Sequence, residues 1–298
     1  MRIFLTGATG FIGSHIIPEL LAAGHQVLGL TRSDSGAKAL LDAGVEPYNG
    51  TIDEPETLRA GAEKSDAVIH TAFDHNFANF VANCEKDRRV IQVLGSALKG
   101  SAKPLVITSG TGMGTPAPGQ VATEDVFDGN NHNPRVASER TGAEVLATGV
   151  KVIVVRLPQV HDPRKQGLIS PLIDVAREKR VSAYVADGSN RWAAAHVGDV
   201  ARLYRLAVEQ GRAGERFNAV GEEGVSARDI ATVVGAGLGI PVAALTPEEA
   251  QVHFGWLGMF IGLDMPASSA WTRQRLGWYP DGPGLIADMR QMDYRTAP

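Results

Sequence analysis

The segment TGATGFIG at positions 6–13 constrains the fold of this chain more than any other part of the sequence. It follows a short apolar run and precedes a stretch with helical spacing, which is the setting of a phosphate-binding turn. Gly7 permits the tight turn, Gly10 lets the backbone approach a pyrophosphate, and Gly13 lets the helix pack closely on the strand. The N-terminus of that helix attracts the anion. The segment therefore predicts a strand–turn–helix unit that binds a dinucleotide.

Strand-like and helix-like stretches alternate through the first half of the chain. The predicted strands cover 3–5, 26–30, 45–48, 67–70, 105–108 and 151–155, and the predicted helices cover 11–23, 33–43, 55–62, 77–99 and 134–148. Such alternation is typical of a parallel sheet covered by helices on both faces. We therefore predict an α/β fold with a doubly wound parallel sheet of Rossmann type.

The alternation loosens after about residue 160, and a long segment before it carries many Gly, Pro and Asn residues. That segment, 110–133, is too long for a plain connector and is predicted to be a functional loop. We predict a dinucleotide-binding domain over 1–160, completed by sheet segments from about 190–222. Most of 161–298 is predicted to form a small, discontinuous C-terminal cap that binds the substrate.

Composition and charge exclude several classes of protein. The 298 residues carry a net charge of −4 with both signs interspersed, which gives no surface for nucleic acid or an anionic membrane. No stretch is apolar for the length of a membrane span, and the N-terminal apolar run is too short for a signal peptide. Cys84 is the only cysteine and the eight His are scattered. We expect a cytoplasmic protein without internal disulfides or a metal site.

The end of the second predicted strand sets the cofactor preference. An acidic residue there would bind the ribose 2′-hydroxyl of NAD. The strand instead runs into Arg32 and Ser33, a cation and a small donor that suit a 2′-phosphate, with Asp34 next to them. The sequence therefore favours NADP(H) over NAD(H).

Further segments, in order along the chain, resemble motifs of the short-chain dehydrogenase/reductase superfamily, in its extended, epimerase/dehydratase-like branch. Besides the glycine turn they are GTID at 50–53, DAVIHTA at 66–72, VITSGT at 106–111, RLPQV at 156–160, AHVGDVA at 195–201, SS at 268–269 and LGW at 276–278. The resemblance implies a Rossmann-type domain with a small cap, a nicotinamide cofactor, a small-molecule substrate and a homodimer. The cofactor-binding residues that follow from the turn, the strand end and the resemblance are Gly7, Thr9, Gly10, Phe11, Ile12, Gly13, Arg32, Ser33, Ile52, Asp53, Thr71, Ala72, Phe73, Thr108, Leu157, Pro158, Gln159 and Val160.

The catalytic set that the resemblance implies is matched only in part. Ser109 matches the family's catalytic Ser, with Thr111 as a helper. The family's Tyr and the Lys four residues later fall on Arg135 and Glu139, and its Asn falls on Asp87. Arg135 and Glu139 are four residues apart, so we expect them to share one helix face, with Glu139 positioning Arg135.

Three functions are compatible with this altered set. The first is a redox enzyme, of the reductase type, in which Ser109 and Arg135 hold the anion that develops on the substrate, since Arg cannot supply a proton near neutral pH. The second is a redox sensor that binds NADP(H) without turnover, as the resemblance to atypical members implies. The third, a sugar-nucleotide epimerase or dehydratase, depends most on the replaced Tyr and Lys and ranks last.

The substrate end of the predicted cap is mostly apolar and carries no basic cluster for a nucleotide diphosphate. This composition favours a small, fairly apolar carbonyl, enone or imine substrate. The candidate substrate residues are Asp74, Met113, His132, His161, Trp192 and Trp256.

Overall fold

The structure is a computed structural model that describes residues 1–295; the last positions of the predicted cap, 296–298, lie outside the described residues. The strands are β1 (Arg2–Thr6), β2 (Gln26–Thr31), β3 (Glu46–Asn49), β4 (Ala67–His70), β5 (Pro104–Gly110), β6 (Lys151–Leu157), β7 (Gln159–His161), β8 (Ser182–Val185), β9 (Arg191–His196), β10 (Arg216–Asn218), β11 (Glu222–Ser226) and β12 (Val242–Leu245). The helices are α1 (Phe11–Ala22), α2 (Asp34–Asp42), α3 (Arg59–Glu63), α4 (Phe80–Leu98), α5 (Val136–Ala147), α6 (Ile169–Lys179), α7 (Val197–Gln210), α8 (Ala227–Leu238), α9 (Pro247–Phe254), α10 (Gly258–Ile261), α11 (Ala270–Leu276) and α12 (Leu285–Gln291).

The centre of the molecule is a seven-stranded sheet in the order β10-β6-β5-β4-β1-β2-β3, and every pairing within it is parallel. Helices cover both faces: α1 and α7 pack together on one face, and α4 and α5 pack together on the other. Because both faces are covered, the central strands are largely apolar, as in the fully buried β4, where only the last residue, His70, is polar. The predicted doubly wound α/β fold is confirmed.

Three predicted helices begin at least two residues later than their sequence patterns suggest. The stretch 55–62 starts with a 3₁₀ turn, Pro55–Leu58, and α3 follows at Arg59. The stretch 77–99 divides into a 3₁₀ turn, Phe77–Asn79, followed by α4, because Asn79 has a non-helical backbone (φ −114°, ψ 28°). Helix α5 begins at Val136, because Asn133 closes a separate turn in front of it. The Asn133 side-chain oxygen accepts a hydrogen bond from the backbone N–H of Arg135 at 2.9 Å.

The second half of the chain builds a cap with its own apolar core, formed largely by α6, α8, α9 and α12. A three-stranded sheet, β11-β9-β7, and the pair β12-β8 belong to this part of the molecule. Of the segment from about 190 to 222, only β10 joins the main sheet; β9 pairs with β7 and β11 instead. Within residues 1–295, no helix combines the length and apolarity needed to span a bilayer.

The strand order reverses between β1 and β4. From β1 the chain proceeds outward to β2 and β3, and it then returns to β4 and continues outward on the other side. Loops that leave neighbouring strands in opposite directions open a crevice at the carboxyl edge of a sheet, which is where such folds bind ligands. The loops after β1, β4 and β5 therefore define the place of the site.

Candidate active site

The turn after β1 has the geometry that a pyrophosphate requires. Gly7 adopts φ +70°, and a Cβ built there would lie 2.7 Å from the Thr71 side-chain oxygen. A Cβ at Gly13 would lie 2.1 Å from the carbonyl oxygen of Gly7, so only glycine lets α1 approach the turn this closely. Helix α1 begins without a side-chain cap and without an acidic residue in its first turn. These features leave its N–H groups and its positive end available to an anion, so the turn fits a dinucleotide.

The predicted 2′-phosphate residues lie at the end of β2. Arg32 is exposed and makes no hydrogen bond or ion pair with any residue in the range 1–295. Ser33 caps α2, since its hydroxyl oxygen accepts a hydrogen bond from the backbone N–H of Gly36 at 3.1 Å. A free guanidinium therefore lies beside the N-terminus of a helix.

The ends of β1, β4 and β5 are tied together by threonine hydroxyls. Thr71 donates to the backbone carbonyl of Thr6 at 2.8 Å, and the Ala72 backbone N–H donates to the Thr6 hydroxyl at 3.3 Å. Thr108 donates to the carbonyl of His70 at 2.7 Å and lies 2.6 Å from the hydroxyl of Tyr204. These bonds fix three of the predicted cofactor-binding residues at the crevice.

Two predicted site residues, Asp53 and Asp74, share one lysine. The Lys86 ammonium lies 2.6 Å from Asp53 and 2.9 Å from Asp74. Its hydrogen bonds hold the pKa of both carboxyls below the usual range, so both are ionised at neutral pH. The pairing joins the loop after β3, which also carries Ile52, to the loop after β4.

The predicted nicotinamide-lining segment connects β6 to the cap. Leu157 and Pro158 are partly buried, whereas Val160 packs into the core beside α1 and α7. The Gln159 side-chain oxygen accepts a hydrogen bond from the backbone N–H of Leu168 at 2.9 Å. Gln159 therefore fixes the loop in front of α6.

Arg135 belongs to a buried polar network that crosses the site. Its guanidinium lies 2.6 Å from Asp87 of α4 and donates to the backbone carbonyl of Thr108 at 2.9 Å. It also contacts the hydroxyl of Ser138 and covers the Phe73 ring, with 4.3 Å between the guanidinium carbon and the ring centre. The Arg135 side chain is only 14% exposed. It is therefore a cation fixed in position at the crevice.

Asp87 continues this network into the sheet. Its second oxygen accepts from His70 at 2.9 Å, and the other ring nitrogen of His70 lies 2.7 Å from the hydroxyl of Thr6. Burial opposes ionisation of Asp87, but the charge of Arg135 and the hydrogen bonds from His70 and Ser138 prevail. They hold the pKa of the Asp87 carboxyl well below its usual range.

The predicted pairing of Arg135 with Glu139 is wrong. Glu139 is buried and forms a bidentate pair with Arg156 of β6, with both N–O distances 2.8 Å, and its second oxygen lies 3.1 Å from Arg216 of β10. Arg156 also donates to the backbone carbonyls of Thr123 and Val126 in the long loop. Glu139 therefore neither positions Arg135 nor reaches the crevice; it anchors the loop 110–133 to the sheet.

Ser109 lies at the end of β5, next along the chain to Thr108, whose carbonyl accepts from Arg135, and Thr111 lies in the 3₁₀ turn after β5. Both are buried, and the Ser109 hydroxyl has no hydrogen-bond partner within the described part of the chain. An unpaired buried hydroxyl costs about 1–3 kcal/mol, so one beside a crevice is poised for a ligand. The sequence-based choice of Ser109 as a substrate-binding group remains a prediction that this geometry permits.

Aromatic side chains close the crevice on the cap side. Phe77, from the loop after β4, stacks on Trp256 of the cap at 4.6 Å with an interplanar angle of 8°. His75, Phe80 and Phe260 are in ring contact with this pair, and Phe73 contacts His75 and Phe80 in turn. Trp256 thus lies against the loop after β4, and its contact with a substrate stays a prediction.

The remaining predicted substrate residues lie in different surroundings. Trp192 is only 2% exposed and donates from its indole to the carbonyl of Leu263, so it belongs to the core of the cap and the prediction for it is wrong. Met113 is buried, and His132 is exposed at the end of the long loop. His161 is buried and lies 2.7 Å from Asp288 of α12. Burial lowers the pKa of His161 despite the Asp288 charge, so it is neutral at pH 7 and no proton donor.

Three residues at the site were missed by the sequence analysis. His70 lies in register with Thr6 on the neighbouring strand, and Ser138 lies one turn along α5 from Arg135. Lys165, in the loop after β7, has its ammonium 5.7 Å from the centre of the Phe11 ring. A polar residue ending a fully apolar strand was a readable signal for His70; the position of Lys165 depends on how the cap folds back.

The glycine turn, the reversal of strand order and the polar network at the carboxyl edge define a Rossmann-type dinucleotide-binding enzyme. The model of the NAD dependent epimerase/dehydratase family matches residues 3–220, and the chain belongs to this family. Its members are enzymes of the NAD(P)-dependent oxidoreductase type, within the extended short-chain dehydrogenase/reductases.

Similar proteins cover between about three quarters and nearly all of the chain. An uncharacterized protein of Schizosaccharomyces pombe is 43% identical over 99% of this chain and 100% of its own length. The 4-hydroxy-2-methyl-3-oxo-4-farnesyl-3,4-dihydroquinoline-1-oxide ketoreductase of Stigmatella aurantiaca is 27% identical, covering 73% of this chain and 67% of the relative. The crystal structure of a UDP-glucose 4-epimerase from Thermotoga maritima superposes with a TM-score of 0.77 at 20% identity, over 99% of both chains. This structural likeness concerns the fold.

Proposed function

We propose that this protein is an NADP(H)-dependent reductase of a small, fairly apolar carbonyl, enone or imine compound. One observation carries the proposal: the fixed guanidinium of Arg135 lies near the Ser109 hydroxyl, which has no hydrogen-bond partner among residues 1–295. Arg135 is bonded to the carbonyl of Thr108, and the next residue is Ser109, whose hydroxyl is buried. Ser109 at the end of β5 and Arg135 at the start of α5 are two donors that suit a substrate oxygen on which negative charge develops.

In this proposal the cofactor provides the hydride, and side chains of the protein stabilise the charge that develops on the substrate. The nicotinamide supplies a hydride when it is bound. Hydride addition to a carbonyl carbon moves the π electrons onto the oxygen, and the Ser109 hydroxyl would donate a hydrogen bond to that oxygen. Arg135 would stabilise its negative charge, and because Arg135 keeps its own proton, the oxygen takes its proton from water.

His75 is a poor replacement for the missing proton donor. The His75 ring packs between Phe73 and Phe77. Its partial removal from water lowers its pKa, and the charges of Arg135 and Lys165 lower it further, so it is neutral at pH 7. This state supports a mechanism in which positive charge, and not a side-chain acid, assists the hydride transfer.

The surroundings support an apolar substrate. The cluster of Phe73, Phe77 and Trp256 is uncharged apart from the Arg135 cation on Phe73. One relative, the Stigmatella protein, is described as a ketoreductase of a farnesylated quinoline oxide, which is a largely apolar ketone. The free guanidinium of Arg32 supports NADP(H), since it has no acidic partner within residues 1–295.

Turnover of NADPH with a panel of aldehydes, ketones, enones and imines tests the proposal. We expect at least one apolar member to be reduced, and Ser109→Ala to lower kcat by about 10²-fold, as the loss of one oxyanion donor does. Ser138→Ala provides a comparison, since it removes a hydroxyl from the network without removing a donor to the substrate. Absence of turnover with the whole panel, or an unchanged kcat in Ser109→Ala, would contradict the proposal.

A further inference from the structure

Lys165 is a free cation close to the glycine turn. It lies in the loop between β7 and α6, is exposed, and makes no ion pair within residues 1–295. Its ammonium sits 5.7 Å from the centre of the Phe11 ring, and Phe11 is the first residue of α1. A residue of the cap side thus reaches over the turn of the dinucleotide-binding domain.

The backbone that carries Lys165 is held in a tight turn. The Asp162 side-chain oxygen accepts hydrogen bonds from the backbone N–H groups of Arg164 and Lys165, both at 2.7 Å. The backbone N–H of Asp162 donates to the carbonyl of Lys165 at 2.9 Å, and Gln166 donates to the Asp162 carbonyl at 2.9 Å. The turn fixes the origin of the side chain, while its four-carbon stem lets the ammonium adjust.

Lys165 brings positive charge to the N-terminus of α1 without an ion-pair partner among residues 1–295, since the Asp162 carboxylate of its own turn bonds backbone N–H groups. The N-terminus of α1 contributes partial positive charge and has no acidic residue in its first turn. Two acids of the neighbouring site are engaged elsewhere, because Asp87 is paired with Arg135 and Asp74 with Lys86. The charge of Lys165 extends far enough into the crevice to act on His75. An ammonium and the positive end of a helix together favour the binding of an anion.

We propose that Lys165 binds the pyrophosphate of the nicotinamide dinucleotide and so closes the cap-side loop over the cofactor. Glu139 stands where the resemblance places the family's lysine, and it is buried against Arg156, so it supplies no cation for the cofactor. The proposal rests on the dinucleotide that the family binds, and it is independent of the proposed NADP preference and of the proposed substrate.

Titration of the purified full-length protein with NADPH, NADH and ADP-ribose, without substrate, tests this role. We expect Lys165→Ala to weaken all three by about ten-fold, the effect of one partly exposed charge-assisted contact, and Lys165→Arg to restore most of the affinity. The slope of log Kd against log salt should also decrease in Lys165→Ala. Adenosine, which lacks the pyrophosphate, should bind the variant and the parent equally.

Two control variants separate the pyrophosphate role from a change in net charge and from the NADP preference. Lys99→Ala removes the same charge from an exposed position at the end of α4, remote from the crevice, and should leave all affinities unchanged. Arg32→Ala should weaken NADPH alone, so its failure would count against the proposed NADP preference and not against Lys165. Unchanged ADP-ribose affinity in Lys165→Ala, or a loss confined to NADPH, would overturn the pyrophosphate role. An equal loss of affinity in Lys99→Ala would show that net charge causes the effect, and it would also overturn the pyrophosphate role of Lys165.

Discussion

The ion pair between Arg135 and Asp87 makes the sharpest prediction about the site. Replacing Arg135 by leucine removes the 2.6 Å contact to a carboxylate whose side chain is only 3% exposed. Breaking a buried pair from one side costs about 3–5 kcal/mol, since it leaves an uncompensated charge. Asp87 keeps its hydrogen bonds from His70 and Ser138, so we expect the lower end, about 3 kcal/mol. With about 2–4 °C per kcal/mol, Tm should fall by about 6–12 °C.

A second substitution at Asp87 separates loss of charge from loss of packing. In R135L/D87N the carboxylate is replaced by a neutral amide, so the free energy of unfolding of the double variant should be about 2 kcal/mol higher than that of R135L. Arg140→Leu is the matched control: it removes an arginine from an exposed position on the same helix and should change stability by less than about 0.5 kcal/mol. Urea denaturation of the four proteins measures these differences.

The pH dependence of the same variants follows from the depressed pKa of Asp87. In the native protein its folded pKa lies below the unfolded value of about 3.9. Its ionisation therefore stabilises the fold above that pH, and the contribution is lost as the pH falls. In R135L, burial without the arginine raises the pKa, so the carboxylate destabilises the variant at neutral pH. The difference in free energy of unfolding between the native protein and R135L should therefore become smaller from pH 7 to pH 4. Three results would refute this reasoning: a loss of unfolding free energy below about 1 kcal/mol in R135L, a difference from the native protein that does not change with pH, or no recovery of stability on adding D87N.

Three further perturbations test other parts of the structure. Glu139→Gln leaves the fully buried Arg156 without its charged partner, and urea denaturation should show a loss of about 3–5 kcal/mol. In Gly13→Ala the new Cβ would meet a backbone oxygen at 2.1 Å, so α1 must shift from the turn; NADPH titration should show more than about ten-fold weaker binding. Burial depresses the pKa of His161, so its neutral form stabilises the fold above the unfolded value of about 6.5, and stability is lost as the pH falls. In His161→Gln the free energy of unfolding, measured by urea denaturation, should change less between pH 7 and pH 5 than in the native protein. An unchanged slope would show that other groups cause the pH dependence.

The parts of this molecule that depend on local patterns were predictable from the sequence. The alternating strands and helices of the main sheet follow from periodicity, and the glycine turn follows from the steric needs of residues such as Gly13. Element ends moved by up to four residues, for example where the Asn133 side chain closed a turn that periodicity does not describe. The composition of the cap core, including Trp192, depends on contacts between distant segments and was not readable from spacing.

The charged residues show why local spacing failed at the site. The rule that residues four apart interact describes the exposed surface of a helix. The first turns of α5 are buried on both sides, so Arg135 meets α4 and Glu139 meets β6 and β10. The partners were therefore chosen by the packing of neighbouring elements, and a single sequence contains no signal for that choice.

The same pairings decide what a reversion of the site would do. Replacing Arg135 by Tyr and Glu139 by Lys restores the family's residue types at two positions only. The new Tyr would leave Asp87 buried without its cation, and the new Lys would face Arg156 and Arg216 as a third positive charge. Such a variant is expected to lose the fold around α5 before it reports on chemistry. Because each altered residue is compensated on a different element, the site is a jointly adapted arrangement, and restoring the family's chemistry requires changes at Asp87 and Arg156 together with those on α5.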